Sequence, residues 1–151
     1  MSTKIIKALL LAIAIVVVVV ALVRFNQVTL AAGAVPVVWD AEVCAHCKMH
    51  VGDPRFAAQL QTTDGEVLNF DDPGCLFDYL QSNEASVHAL YFRNHLEDGW
   101  LSEADVGFLA AEESPMGYAI RAVPRGTPDA QGIDWAKSRV QDGPHQRNGG
   151  P

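Results

Sequence analysis

Val67-Leu68-Asn69-Phe70-Asp71-Asp72-Pro73-Gly74-Cys75 changes its local rule in the middle. The first four residues end an alternating apolar run, and Asp-Asp-Pro-Gly then starts a helix. Asp72 is a natural N-cap, and Pro73 is preorganised at the first helical position, where its missing N–H costs nothing. The spacing carries that helix to about Ser82, with Leu76, Phe77, Tyr79 and Leu80 as its buried stripe. Upstream, Phe56-Ala57-Ala58-Gln59-Leu60-Gln61 is a strand, and the Asp-Gly signal within Thr63-Asp64-Gly65-Glu66 turns it back as a hairpin. Downstream, Val87 to Phe92 is a closing strand. The local unit is ββαβ.

A second pass of the same kind follows. Gly99-Trp100-Leu101-Ser102 and Asp105-Val106-Gly107-Phe108-Leu109 form a first strand region, Gly117 to Val123 a second, and Ile133 to Val140 has helical spacing. No closing strand is evident after it, so the final strand of the second unit is either missing, which truncates the unit, or supplied elsewhere. The fold class is α+β, with two small ββαβ-type units. Trp39, Trp100 and Trp135 are the packing anchors expected of such units. The chain then ends in Gly, Pro and polar residues, a composition that predicts a disordered tail over residues 142–151.

Ahead of these units lies an apolar run from Ala8 to Val23, extended by Ile5 and Ile6, preceded by Lys4 and Lys7 and closed by Arg24. Roughly 20 such residues cross a bilayer core. A signal peptide begins in the same way, but the A-x-A candidate Ala32-Gly33-Ala34 lies far beyond the run. The reading is therefore an uncleaved transmembrane anchor over residues 1–24, with its basic end in the cytoplasm. A linker follows over residues 25–39, then a folded part over 40–141, divided near residue 95. The chain would be a single-pass protein of the inner membrane with its soluble domain in the periplasm.

All 18 acidic residues follow the anchor, whereas three of the 11 basic ones belong to it, so the exported part carries 8 positive against 18 negative charges, a net of −10 with His neutral. That excess keeps the domain soluble and excludes a nucleic-acid partner, which requires a basic face.

The chemistry is concentrated in Cys44-Ala45-His46-Cys47-Lys48-Met49-His50. Thiolate and thioether sulfur select Cu(I), whereas zinc draws on Cys, His and carboxylate and gains little from Met. Met49 tips the motif toward copper. Two other readings of the cysteines stay open. One is a structural zinc module using Cys44, Cys47, Cys75 and a histidine; the other is a thiol–disulfide oxidoreductase using Cys44 and Cys47.

Cys75 falls in the first turn of the predicted helix, where free N–H groups and the dipole favour a thiolate. It is either a third ligand or a buried filler, the commoner role of a free cysteine. Met116, in Ser114-Pro115-Met116-Gly117, reads as an exposed loop methionine without a core duty, and thus as a second soft ligand. His46 and His50 read as exposed polar residues, and His88, His95 and His145 as structural or solvent-facing. Asp53 and Arg55 suit a local turn interaction.

Four blocks in this order, Cys44 to Met49, Asp53 to Gln59, Phe70 to Cys75 and Ser114 to Gly117, resemble the NosL-type nitrous oxide reductase accessory proteins, over about Val43 to Val123. The resemblance implies a periplasmic copper chaperone with a core of two ββαβ units related to that of organomercurial lyase. It implies Cu(I) on Cys47, Met49 and Met116, with Cys44 as an additional thiolate. Its implied partners are a membrane copper donor or assembly complex and a copper-accepting enzyme, nitrous oxide reductase. Two features depart from that pattern: many members are held by a lipidated cysteine rather than a protein anchor, and the second unit here is truncated. The expectation is a chaperone working by ligand exchange rather than an enzyme.

Overall fold

The computed structural model describes residues 3–25, 30–141 and 143–144. Helix α1, Thr3–Phe25, contains an 18-residue window from Ile5 to Leu22 with a mean hydropathy of 3.2. By length and composition it is able to cross a bilayer, as a signal sequence would be.

The folded part builds the expected hairpin from β1 (Ala58–Thr62) and β2 (Val67–Phe70). It is followed by α2 (Pro73–Ser82) and β3 (Val87–Arg93). The N-cap is the one the sequence indicates: Asp72 is extended, at φ −148° and ψ 138°, and its carboxylate accepts from the Gly74 N–H. Gly65 closes the hairpin turn at φ +89°, a left-handed conformation that glycine adopts without a Cβ clash.

The second half departs from its expected pairing. What reads as one strand region from Gly99 to Leu109 is two strands in two sheets. Strand β4 (Trp100–Ser102) pairs antiparallel with β3, matching Arg93 to Trp100. It completes a four-stranded sheet of order β2-β1-β3-β4. A turn at Ser102–Asp105, closed by the Asp105 N–H to the Ser102 carbonyl at 3.0 Å, then redirects the chain. Strand β5 (Val106–Ala110) pairs with β6 (Ile120–Pro124) as a separate two-stranded sheet, and α3 (Ile133–Gln141) follows. Among the described residues no strand follows α3; just before it, Gln131 exchanges backbone bonds with Phe108 at 2.9 and 2.8 Å. The predicted tail falls largely outside the described residues.

One core joins both sheets. Phe77 of α2, Phe92 of β3 and Phe108 of β5 form a triad with ring centroids 5.1 to 5.6 Å apart. All three are fully buried, so this contact holds the two halves together.

The faces of the larger sheet follow from its register. Ala58 opposes Phe70 and Phe92, and Leu60 opposes Leu68 and Leu90, so the apolar set lies on the α2 side. Gln59 opposes Asn69 and Tyr91 on the other side. That second face is closed by the segment running from Gly33 to Trp39. The Arg93 guanidinium sits between the Trp39 and Trp100 rings, 5.8 and 5.5 Å from their centroids.

Candidate metal centre

The cysteine motif is the tip of a narrow hairpin. Asp40 and Val51 share a backbone bond of 3.0 Å, the Val51 N–H reaches the Glu42 carbonyl at 2.9 Å, and Val43 bridges His50. At the tip, the Cys44 N–H donates to the Met49 carbonyl (2.8 Å) and the Lys48 N–H to the Cys44 carbonyl (3.1 Å). Lys48 closes the loop with φ +65°. The Ala45 N–H to the Asn69 carbonyl of β2 (2.9 Å) and the Gly52 N–H to Asp71 Oδ1 (2.9 Å) are among the bonds that pin this hairpin to the fold. Asp71 is thus a clamp between the hairpin and the start of α2, while Asp72 caps the helix.

These restraints bring Cys44 and Cys47 to Cys75. The three Sγ atoms all lie within 4.8 Å of one another, and all three cysteines are free thiols. Cys44 and Cys75 are fully buried, whereas Cys47 is half-buried and forms the outer member. Cys75 therefore has both properties considered for it: it fills space in the core, and its sulfur completes a trio able to hold a metal ion.

The electrostatics differ from the simple helix-dipole expectation. A hydrogen bond from the Cys75 thiol, backed by N–H groups at Asp71, Cys47 and His46, brings the Cys44 thiol down to about 5 despite its burial. Cys75 is correspondingly pushed up, through its bond to Cys44 and through burial. Cys47 is also raised, chiefly by burial. These shifts favour placing a thiolate's charge on Cys44 rather than on Cys47 or Cys75. Once Cys44 holds that charge, Cys75 has to remain the donor, although it is the cysteine in the helix's first turn.

The two methionines occupy different places. Met49 stands on the rim with 49% of its surface exposed. Met116 is not an exposed loop residue; it is partly buried against the core. Its N–H donates to Asp72 Oδ2 at 3.2 Å, which ties its loop to the cap three residues before Cys75. Burial pushes the Asp72 carboxyl up to about 6, even though Ser114, Gly74 and Met116 all bond to it.

The same loop is held at two further points. Gly74 lets the Tyr118 ring lie against the first turn of α2, since a Cβ there would meet Tyr118 Cγ at 2.0 Å. The Tyr118 hydroxyl donates to Asp78 Oδ2 at 2.7 Å, and His46 Nε2 lies 3.4 Å from that same oxygen. His46 is thus engaged with Asp78 rather than free on the surface, a role for Asp78 and Tyr118 that carries no signature in the sequence. His50 and His88 are exposed. His95 packs edge-on against Phe56, with ring centroids 4.8 Å apart. His145 lies outside the described residues. Asp53 and Arg55 form the expected local pair, at 2.7 Å. No family model, curated protein or solved structure matches this chain.

Proposed function

We infer that this chain is a Cu(I) carrier: it takes copper as cargo on the Cys44–Cys47–Cys75 trio and hands it, by ligand exchange, to a copper enzyme on the outer side of the cytoplasmic membrane. The observation that carries this reading is the composition of the cluster. Among the described residues, the mutually close donors number three sulfurs and include no imidazole or carboxylate. Three soft donors suit Cu(I), whereas a structural zinc site closes a tetrahedron with a fourth ligand. The nearest histidine in sequence, His46, is engaged by Asp78.

Transfer needs no redox step. Copper enters past Cys47, the accessible sulfur, and its ligation by the trio releases the thiol protons to solvent. A donor on the partner then adds to copper as Cys47, the accessible member, leaves. Met49 on the rim supplies a thioether during that exchange, and Met116 backs the site from the capped loop. The resemblance to NosL-type proteins favours nitrous oxide reductase as recipient and a membrane copper donor as source. It also favours α1 as the tether of a periplasmic domain.

Titration of the reduced full-length chain with Cu(I), against a Cu(I) chelator, should give one copper per chain, and X-ray absorption should show a sulfur-only first shell. Retention of zinc over copper under equal competition would overturn the copper reading. A second reading draws on the Cys44 thiol, which is acidic enough to be a redox nucleophile in its C-x-x-C. Catalytic disulfide exchange by the metal-free protein would establish it.

A further inference from the structure

Residues Gln59 and Gln61 of β1 point away from the apolar core yet are 0% and 2% exposed. A buried amide has to be hydrogen-bonded or it destabilises the fold. Gln59 solves this by reading the main chain of the segment laid over it. The Val35 N–H donates to Gln59 Oε1 at 2.8 Å, and Gln59 Nε2 donates back to the Val35 carbonyl at 3.0 Å. Gln61 Nε2 reaches the Gly33 carbonyl at 2.7 Å and Gln59 Oε1 at 3.1 Å.

The bonds do not stop at this strap. Gln59 Nε2 also donates to Asn69 Oδ1 at 2.8 Å. Asn69 Nδ2 donates to Glu42 Oε2, whose other oxygen accepts the Val38 N–H at 2.8 Å. The Asn69 carbonyl holds the Ala45 N–H, next to Cys44. An unbroken run of polar contacts therefore joins Gly33, eight residues beyond the end of α1, to the cysteine hairpin.

We propose that Gln59 and Asn69 are positioning residues of the metal centre: they wire the strap Gly33–Val38 to the Cys44–Cys47 hairpin, so that undocking the strap loosens the thiol site. The wiring is directional where the apolar core is not. An amide that bonds to both the N–H and the carbonyl of one residue accepts a single position of the strap, and Asn69 uses its side chain toward the strap and its carbonyl toward the hairpin. A force or partner acting on the chain between the apolar helix and the domain is felt at the cysteines first. The metal consequence rests on the copper reading above; the thiol consequence does not.

The test uses the full-length chain in detergent and changes the strap rather than the core. Val35→Pro removes the N–H that Gln59 accepts, at a position that Pro36 already biases toward extended backbone. Ala32→Pro stiffens the chain just before the strap and is the control. Iodoacetamide alkylation of the metal-free protein, followed at each cysteine by mass spectrometry, should accelerate about fivefold at Cys44 and Cys47 in Val35→Pro, the factor that one lost hydrogen bond corresponds to. Cys75, seated in α2, should keep its wild-type rate, and Ala32→Pro should change none of the three. Cu(I) affinity should fall by a comparable factor in Val35→Pro alone.

Unchanged rates at Cys44 and Cys47 overturn the proposal. An equal rise at all three cysteines also overturns it, because the strap would then act through global stability. If the wild-type chain binds no Cu(I) while the alkylation pattern appears as stated, the copper reading fails and the wiring stands.

Discussion

On one side of the four-stranded sheet, Leu60, Phe70, Leu90 and Phe92 meet α2 and the Phe77–Phe108 contact, whereas on the other Gln59, Gln61 and Asn69 meet the main chain of residues 33–38. Both faces are shielded from water, but by different physics. Apolar burial is non-directional, contributing about 1.5–3 kcal/mol for each large side chain and tolerating small shifts. A buried amide contributes only about 1 kcal/mol net, yet it fails if its partner moves by an ångström. The first face supplies stability, and the second supplies placement. The cysteine hairpin is pinned to both, through Asp71 on the helix side and Asn69 on the strap side.

The largest test of this division is Phe92→Ala, which opens the triad joining both sheets. It should cost about 3–5 kcal/mol in urea unfolding, as large buried aromatics do. A loss below about 1 kcal/mol, within reach of a surface change, would place the core elsewhere.

The junction between the faces is the capped start of α2, where a pH effect should appear. Burial holds the Asp72 carboxyl at about 6, above its ordinary value. The folded state thus binds that proton more tightly than the unfolded one. Its stabilising contribution is fully present below about pH 4, declines as pH rises, and is gone above about 6. Asp72→Asn is uncharged throughout, so its stability relative to wild type should improve between about pH 4 and 7 by on the order of 2–3 kcal/mol. A pH-independent difference would mean that Asp72 is not desolvated.

On the strap face the expected effect is smallest. Arg93→Lys keeps the charge but loses the planar group stacked between Trp39 and Trp100, worth about 0.5–1 kcal/mol. The readout is a red shift of tryptophan emission as Trp39 gains water. An unshifted spectrum would show that the rings hold the strap without the guanidinium.

What could be read in advance divides along the same line. The hairpin, the Asp72 cap, the limits of α2 and the C-x-x-C are written in neighbouring residues, because turns, caps and periodicity are local. The partition of Gly99–Leu109 between two sheets was not legible, since a three-residue strand carries no label for its partner. Gln59 and Gln61 could be read only as members of a strand, since what buries their amides lies 24 to 28 residues upstream. Cys75 could be placed in the first turn of its helix, but its distance to Cys44 is a tertiary fact. The thioether of Met116 was legible as a chemical option, whereas its packing against the core was not.

Because β4 completes the first sheet although it lies beyond the repeat boundary, and the strand that follows it belongs to the second, the two halves are not separable modules. A nick near residue 95, where the repeat pattern invites a cut, would strip the outer strand from β3 and bare its edge, the kind of raw border on which chains stick to one another. A nick after Ser102 leaves that sheet whole. Any scheme that splits this protein into two complementing pieces, or grafts its cysteine-bearing half elsewhere, should carry the chain through Ser102 and let the new terminus fall at the turn before Asp105.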